Sequence, residues 1–486
     1  MKITKNILGM MLLAAVLSGC GSKSPVSLTS SERTGWDYNK PNRGFFNVKT
    51  EYDGKVPPGT VYISTNSFVK GQNEDPVSSP SNDLKRRVGI DGFFMDECEV
   101  TNINWREYVA WMTGVYKHDP RKVLLAMPDE TVWRQELAYN EPLVNNYYRH
   151  VAYGFYPVVG VSWEQATDYC KWRTDRVNER ILIDNKIIEF QDLETVQQNV
   201  ENAEAADYNK YIFTTQKRLD YLRETNGEDF DIDLDGVIFE AEYRLPTEAE
   251  WEFAAYGAKD YKQNFAEGKT YPWEGYQLRE MQKKKLKGQF VANFMRGRGD
   301  AIGQYQNSSR TMPVDAFVPN EYGLYNMAGN VNEWVLDVYR STSNDLVNEL
   351  SPFRGNVYDS DSAYAESILD KLPIVLEPEA RDSMRNVLIK EKKFTVSGSD
   401  VRSFRDGDIY SVIGDSILNY NTATPIEQAT MISDRARVYK GGSWKDRAIW
   451  LNPATRRWLD QGARSSEIGF RCAMSAVGGI KNRNYK

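Results

Sequence analysis

Apolar positions along this chain come in short alternating bursts, and several bursts pass directly into a helical spacing. In PPGTVYISTNSFVKG, Pro57 to Gly71, the residues Val61, Ile63 and Phe68 mark short strands separated by a turn. GFFMDECEVTNINWREYVAWM, Gly92 to Met112, runs from an extended stretch into an amphipathic helix. Thr101 or Asn102 caps that helix, and Trp105, Tyr108, Val109 and Met112 share one face. YPVVGVSWEQATDYCKW, Tyr156 to Trp172, repeats the scheme: a buried β run, Ser162 as N-cap, then a helix with Ala166, Tyr169 and Cys170 inward. YRLPTEAEWEFAA, Tyr243 to Ala255, does so again, with Thr247 as cap and Glu250 as the capping-box acid. Periodicity alone predicts mixed α and β with many turns.

The first twenty residues read differently. Lys2 and Lys5 precede an apolar run from Ile7 to Val16, and LSGC closes it at Cys20. That tetrapeptide resembles a bacterial lipobox, which makes residues 1–20 a signal peptide and Cys20 a lipidated first residue of the mature chain. The alternative is an ordinary signal peptide that contains a cysteine. Gly21 follows with no aspartate, which favours sorting to the outer membrane. No acidic cluster resembling a surface-export tag follows, so the expected orientation is periplasmic. Residues 21–56 form the tether and lead-in, Ser-rich at the start. No later stretch reaches the roughly 18 apolar residues of a membrane span. The chain is expected to be anchored without crossing.

Composition narrows the chemistry. A hydrophobic fraction of 41% with 12% aromatics supports a sizeable core over 486 residues. The net charge of -7 and the absence of a basic block argue against nucleic acid. With Cys20 assigned to lipid, Cys98, Cys170 and Cys472 remain, so at most one bridge forms in the oxidising compartment that export implies. The two histidines, His118 and His150, stand in unrelated contexts. A zinc site of His and Cys, and a mechanism that needs several imidazoles, are disfavoured.

Taken in order, EVTN, PVVGVSW, RLPTEAEWE, YPW, PVDAF-x-PN-x-YGLYNMAGNV-x-EW, GGSW and GFRC resemble the formylglycine-generating, or sulfatase-modifying factor, family. The resemblance spans residues 57–475 and implies an α+β fold related to C-type lectins, with much irregular structure. Relative to that family, two large polar insertions stand out, at about 174–242 and about 340–435. Such inserts serve binding or assembly more often than chemistry. A basic tail, 476–486, follows.

Active members hold copper(I) on two cysteines, the first three residues after the serine of GGS and the second five further on. Soft thiolates suit that ion. Here Ser443 is kept, but the two positions are Asp446 and Leu451. A carboxylate is a poor copper(I) ligand and leucine is none. The resemblance therefore implies a scaffold without its catalyst and without copper. Asp446 together with Asp460 remains open as a sugar or peptide contact in the old cleft.

NMAGNVNE resembles the family's calcium loop, with ligands carried over to the Asn326 and Glu333 side chains and the Gly329 and Val331 carbonyls. Oxygen-only donors at close spacing suit a hard cation. A hydrogen-bonded turn is the plainer reading. A second family site would begin at Asn293 and Phe294, though Asp300 arrives too early to complete it. Independently, DIDLDGVIFEAE fits the twelve-residue EF-hand loop, with Asp231, Asp233, Asp235, the Val237 carbonyl and Glu242 as ligands. It runs into extended YRLP rather than a helix, so an acidic surface hairpin is equally open. The resemblance also pairs Cys170 with Cys472 in a disulfide and leaves Cys98 free.

Further stretches, among them TGWDYN, WRQELAYNEP, YCKWRTDRVNE, ANFMRGRGD and GNVNEWVLDVYR, resemble the gliding-motility lipoproteins of the J type. The sister K type, a ring lipoprotein of type IX secretion, is the alternative. The expectation is a non-enzymatic adaptor of the gliding and type IX secretion machinery. Its expected partners are ring lipoproteins and outer-membrane components. The competing expectation is a periplasmic enzyme of the formylglycine-generating family that modifies an exported protein.

Overall fold

A computed structural model describes residues 56–71, 86–116, 120–188, 241–257, 269–273, 276–281, 286–296, 310–339 and 435–477, with single positions at 34, 36, 37, 190, 239 and 284. The architecture is that of the unit Val56–Lys486. Cys20, the tether, most of the first insertion with Asp231, Asp233, Asp235 and Val237, the second insertion, Asp300 and His118 lie outside the described residues.

Two four-stranded sheets carry the fold, and α-helices pack on them. In the first, β1 (Thr60–Ile63) pairs with β4 (Phe93–Asp96), which pairs with β10 (Ala473–Ser475), which pairs with β5 (Tyr243–Arg244), all antiparallel. Strands from both ends of the chain thus share one sheet. In the second, β8 (Arg457–Asp460), β7 (Ala436–Lys440) and β6 (Asn332–Val338) run antiparallel, and β9 (Ile468–Gly469) joins β6 in parallel. The hairpin β2–β3 (Asn66–Lys70, Arg86–Ile90) is separate. The family-type α+β fold expected from the motifs is what forms, with long irregular connections.

The predicted caps form as drawn. Helix α1, Asn102–Val115, starts at Thr101, whose hydroxyl accepts from the Asn104 amide in a capping box. Between it and the next long helix come two short ones, α2 (Pro120–Ala126) and α3 (Glu141–Asn146). Helix α4, Trp163–Asp184, starts on Ser162 with Gln165, and α5, Glu248–Tyr256, on Thr247 with Glu250. The inward faces of α1 and α4 meet in one aromatic core, where Trp105 stacks on Tyr169 at 5.3 Å and meets Phe470 edge-on at 5.8 Å.

Helix α4 differs from expectation in length. It continues into the stretch assigned to the first insertion because Asn178 and Leu182 are buried. Asn178 also exchanges hydrogen bonds with the Phe239 backbone at 2.9 and 3.0 Å. The core of the fold therefore claims both ends of that insertion.

Charge is buried as well as apolar surface. Glu248 and Glu252 of α5 meet Lys70 from β2, Lys440 from β7 and Arg456, all nearly inaccessible to solvent. Paired in this way the charges lock three elements and the approach to β8 together, and removing one partner would strand the rest.

Candidate functional site

Strand β7 ends at Lys440, and the chain turns through Gly441 and Gly442, with φ of 100° and 73°. Both turns demand glycine. A Cβ on Gly442 would lie 2.8 Å from Leu451 Cδ2, and one on Gly441 would lie 3.1 Å from the Trp251 ring. The turn delivers Ser443 to a fully buried position, where its amide and hydroxyl donate to Asp446 Oδ2 at 2.8 and 2.7 Å.

Asp446 is not free to act. Arg457 Nη1 and Nη2 clasp its two oxygens at 2.6 and 2.7 Å, and Asn332 adds a donor at 3.1 Å. Burial opposes its charge, but these donors outweigh it and hold the carboxyl below the ordinary aspartate range. The guanidinium lies 4.9 Å from the Tyr439 ring and 4.7 Å from the Trp450 ring. Leu451 is fully buried among Phe290, Phe294, Met312 and Ala328. The two positions that the resemblance assigns to the family's thiols thus hold an ion pair and a core leucine. Asp460 does not join Asp446: it lies at the other end of β8 from Arg457 and pairs with Arg435 at 3.0 Å.

The NMAGNVNE loop curls through left-handed residues, Asn326, Gly329 and Asn330, with φ of 52°, 86° and 66°. It closes on a residue that sequence reasoning missed. Glu99, of the EVTN motif, accepts from Asn326 Nδ2 at 3.2 Å and Asn330 Nδ2 at 3.0 Å. Glu333 is held by a second missed residue, Arg471 of GFRC, whose Nε and Nη2 reach its two oxygens at 2.7 Å each. Trp251 Nε1 donates to the same carboxylate at 2.7 Å. Arg471 also donates to the carbonyls of Asp96 at 3.0 Å and Tyr325 at 2.8 Å.

The donor chemistry splits when tested against calcium. Glu99, the Asn326 amide and the curled carbonyls offer hard oxygens in a closed loop, which suits the ion. Glu333 fits less well, since Oε2 is saturated by Trp251 and Arg471 and only Oε1 keeps a lone pair. Burial pushes Glu99 up to about 7, with the Glu333 charge adding and Arg471 opposing. Once Glu99 is ionised, two buried carboxylates against one guanidinium leave a negative charge that a bound cation would neutralise.

Asn293, the start of the doubtful second site, is buried and spends its Nδ2 on the Arg310 carbonyl at 2.6 Å. Glu242 is exposed, the one proposed ligand of the EF-hand-like loop within the described residues. Cys170 Sγ lies 3.4 Å from Cys472 Sγ, both thiols buried, and Cys98 stands apart, half-buried. His150 caps a short turn, its Nδ1 accepting from the Ala152 amide at 3.1 Å.

The model of the sulfatase-modifying factor enzyme 1-like domain matches residues 48–476, and the chain belongs to that family. Formylglycine-generating enzyme of Bos taurus is 24% identical over 359 residues, 69% of this chain and 73% of that protein. Inactive C-alpha-formylglycine-generating enzyme 2 of the same species is 38% identical over 105 residues, 21% of this chain and 29% of that one. Among solved structures, Treponema denticola variable protein 1 aligns over 86% of this chain and 94% of its own, with 18% identity and a TM-score of 0.37. The family thus has both a member named for its activity and one named as inactive.

Proposed function

We propose that this protein is a non-catalytic member of the family, anchored by lipid at Cys20 in the outer membrane and facing the periplasm, where it acts as an adaptor of gliding motility and type IX secretion. The observation that carries the non-catalytic part is the Asp446–Arg457 ion pair beside buried Leu451. A thiolate pair cannot be assembled there, and the carboxylate that replaces one thiol is already spent. The existence of a relative named as inactive supports the reading by analogy alone. The adaptor role rests on the stretches that resemble the J type, WRQELAYNEP and GNVNEWVLDVYR among them.

The test has two arms. Purified protein incubated with copper(I), oxygen and a cysteine-containing sulfatase peptide should yield no formylglycine, and conversion would establish the competing reading of an enzyme. The lipidated protein, solubilised gently from its native outer membranes, should bring ring lipoproteins or outer-membrane components with it. Recovery of the chain alone would remove the adaptor reading.

Calcium in the NMAGNVNE loop is part of the same proposal, with Glu99 added to Asn326, Gly329, Val331 and Glu333. Bound there, the ion would supply charge balance and loop rigidity. A ligand held only by the native state raises its stability by mass action. Calcium added to metal-stripped protein should raise Tm, and Glu99→Gln should abolish most of the gain. An undiminished gain in that variant would shift the site to the Asp231 loop.

A further inference from the structure

The turn Gln135–Ala138, closed by the Ala138 amide on the Gln135 carbonyl at 3.2 Å, places Leu137 at its third position with φ of 59°. Turns that need a left-handed residue there take glycine or asparagine, because a Cβ is disfavoured. Leu137 obtains no packing in return: its relative exposure is 110%, and that of Tyr139 is 83%. A side chain that neither suits its backbone nor packs gains its free energy outside the isolated chain.

The tip is also held rigid. Asn140 is buried and donates to the Trp133 carbonyl at 2.9 Å, while Arg310 donates to its Oδ1. Arg134 clasps Glu141 at 2.9 and 3.2 Å across the base of the turn. Trp133 packs at a tilt on Tyr147 at 4.6 Å and stacks on Trp444 of the GGSW loop at 5.9 Å. An apolar tip fixed in this way binds without first paying to be ordered.

Charge selects the partner. Glu130 and Glu141 are matched by Arg149 and Arg134, but Glu136, next to the tip, is exposed and has no ion pair among the described residues. A negative charge beside the apolar tip disfavours an anionic lipid surface. We propose that Leu137 and Tyr139 insert into an apolar pocket on a partner protein, with a Lys or Arg of that partner meeting Glu136. This rests on the adaptor reading above and names the surface that carries it.

The experiment uses full-length lipidated protein purified from native outer membranes in mild detergent, as wild type, Leu137→Gly, Glu136→Lys and, as control, Leu124→Ser on another exposed leucine. Leu137→Gly should keep or raise Tm, because glycine suits the turn. Its recovery of one discrete protein should nonetheless fall roughly tenfold or more. Glu136→Lys should weaken recovery and reverse its salt dependence, and Leu124→Ser should change neither. A photoreactive p-benzoylphenylalanine in place of Tyr139 should crosslink that same protein in cells. Undiminished recovery by Leu137→Gly, or crosslinks from position 139 to lipid only, would overturn the proposal and leave the adaptor reading intact. Wild type that recovers no protein would overturn both.

Discussion

Asp446 is a buried carboxylate whose bonding is complete within the fold. Its side chain and that of Arg457 are both largely buried, with 11% and 17% exposed. Removing one partner of such a pair leaves an uncompensated charge, so Asp446→Ala should destabilise by on the order of 3 kcal/mol. Adding Arg457→Met should recover much of that loss in urea unfolding, and strict additivity of the two would show that the pair does not couple. The sign with pH follows from the depressed carboxyl. Its contribution is present above the unfolded aspartate value and is lost as pH falls through the lower folded one. Wild type should therefore lose stability more steeply than Asp446→Asn below about pH 4. That Asp446 and Leu451 follow GGS at the spacing of the family's cysteines was legible in the sequence. The arginine that clasps the aspartate was not, because TRRWLD carries no mark of which carboxylate Arg457 meets. Glu99 and Arg471 were hidden by distance along the chain: Asn326 lies 227 residues from the first and Glu333 lies 138 from the second.

At the scale of elements, local signals were sufficient wherever a helix begins. The caps at Thr101, Ser162 and Thr247 each make their bonds within three residues, so sequence order and spatial order coincide. How far α4 runs was not marked locally, because Asn178 is held by Phe239 from the far side of the insertion. The same helix brings Cys170 to Cys472, which follows β9. Disulfide formation there would close a 302-residue separation and tie α4 to the C-terminal strands, worth at most about 5 kcal/mol by chain entropy. Non-reducing peptide maps of freshly exported protein should show Cys170–Cys472. Cys98 should be alkylated slowly, since burial and then the Glu99 charge push its thiol up to about 12. A linkage through Cys98 would refute the pairing.

For the whole molecule, the decisive feature lies at the start of the chain. Among the described residues no helix is long and apolar enough to cross a membrane. The proposed attachment rests on Cys20 and the lipobox-like LSGC before it. Several acyl chains on one residue give stable anchoring where a single chain gives only marginal binding. The compact unit that carries the fold starts at Val56. Cys20→Ala should leave the precursor poorly processed or release the protein to the periplasm. Fractionation, together with mass spectrometry of the N-terminal peptide, measures both. An unmodified Cys20 in wild type, with unchanged outer-membrane fractionation of the variant, would transfer the attachment to the protein's partners. The adaptor would then be held at the membrane by what it binds.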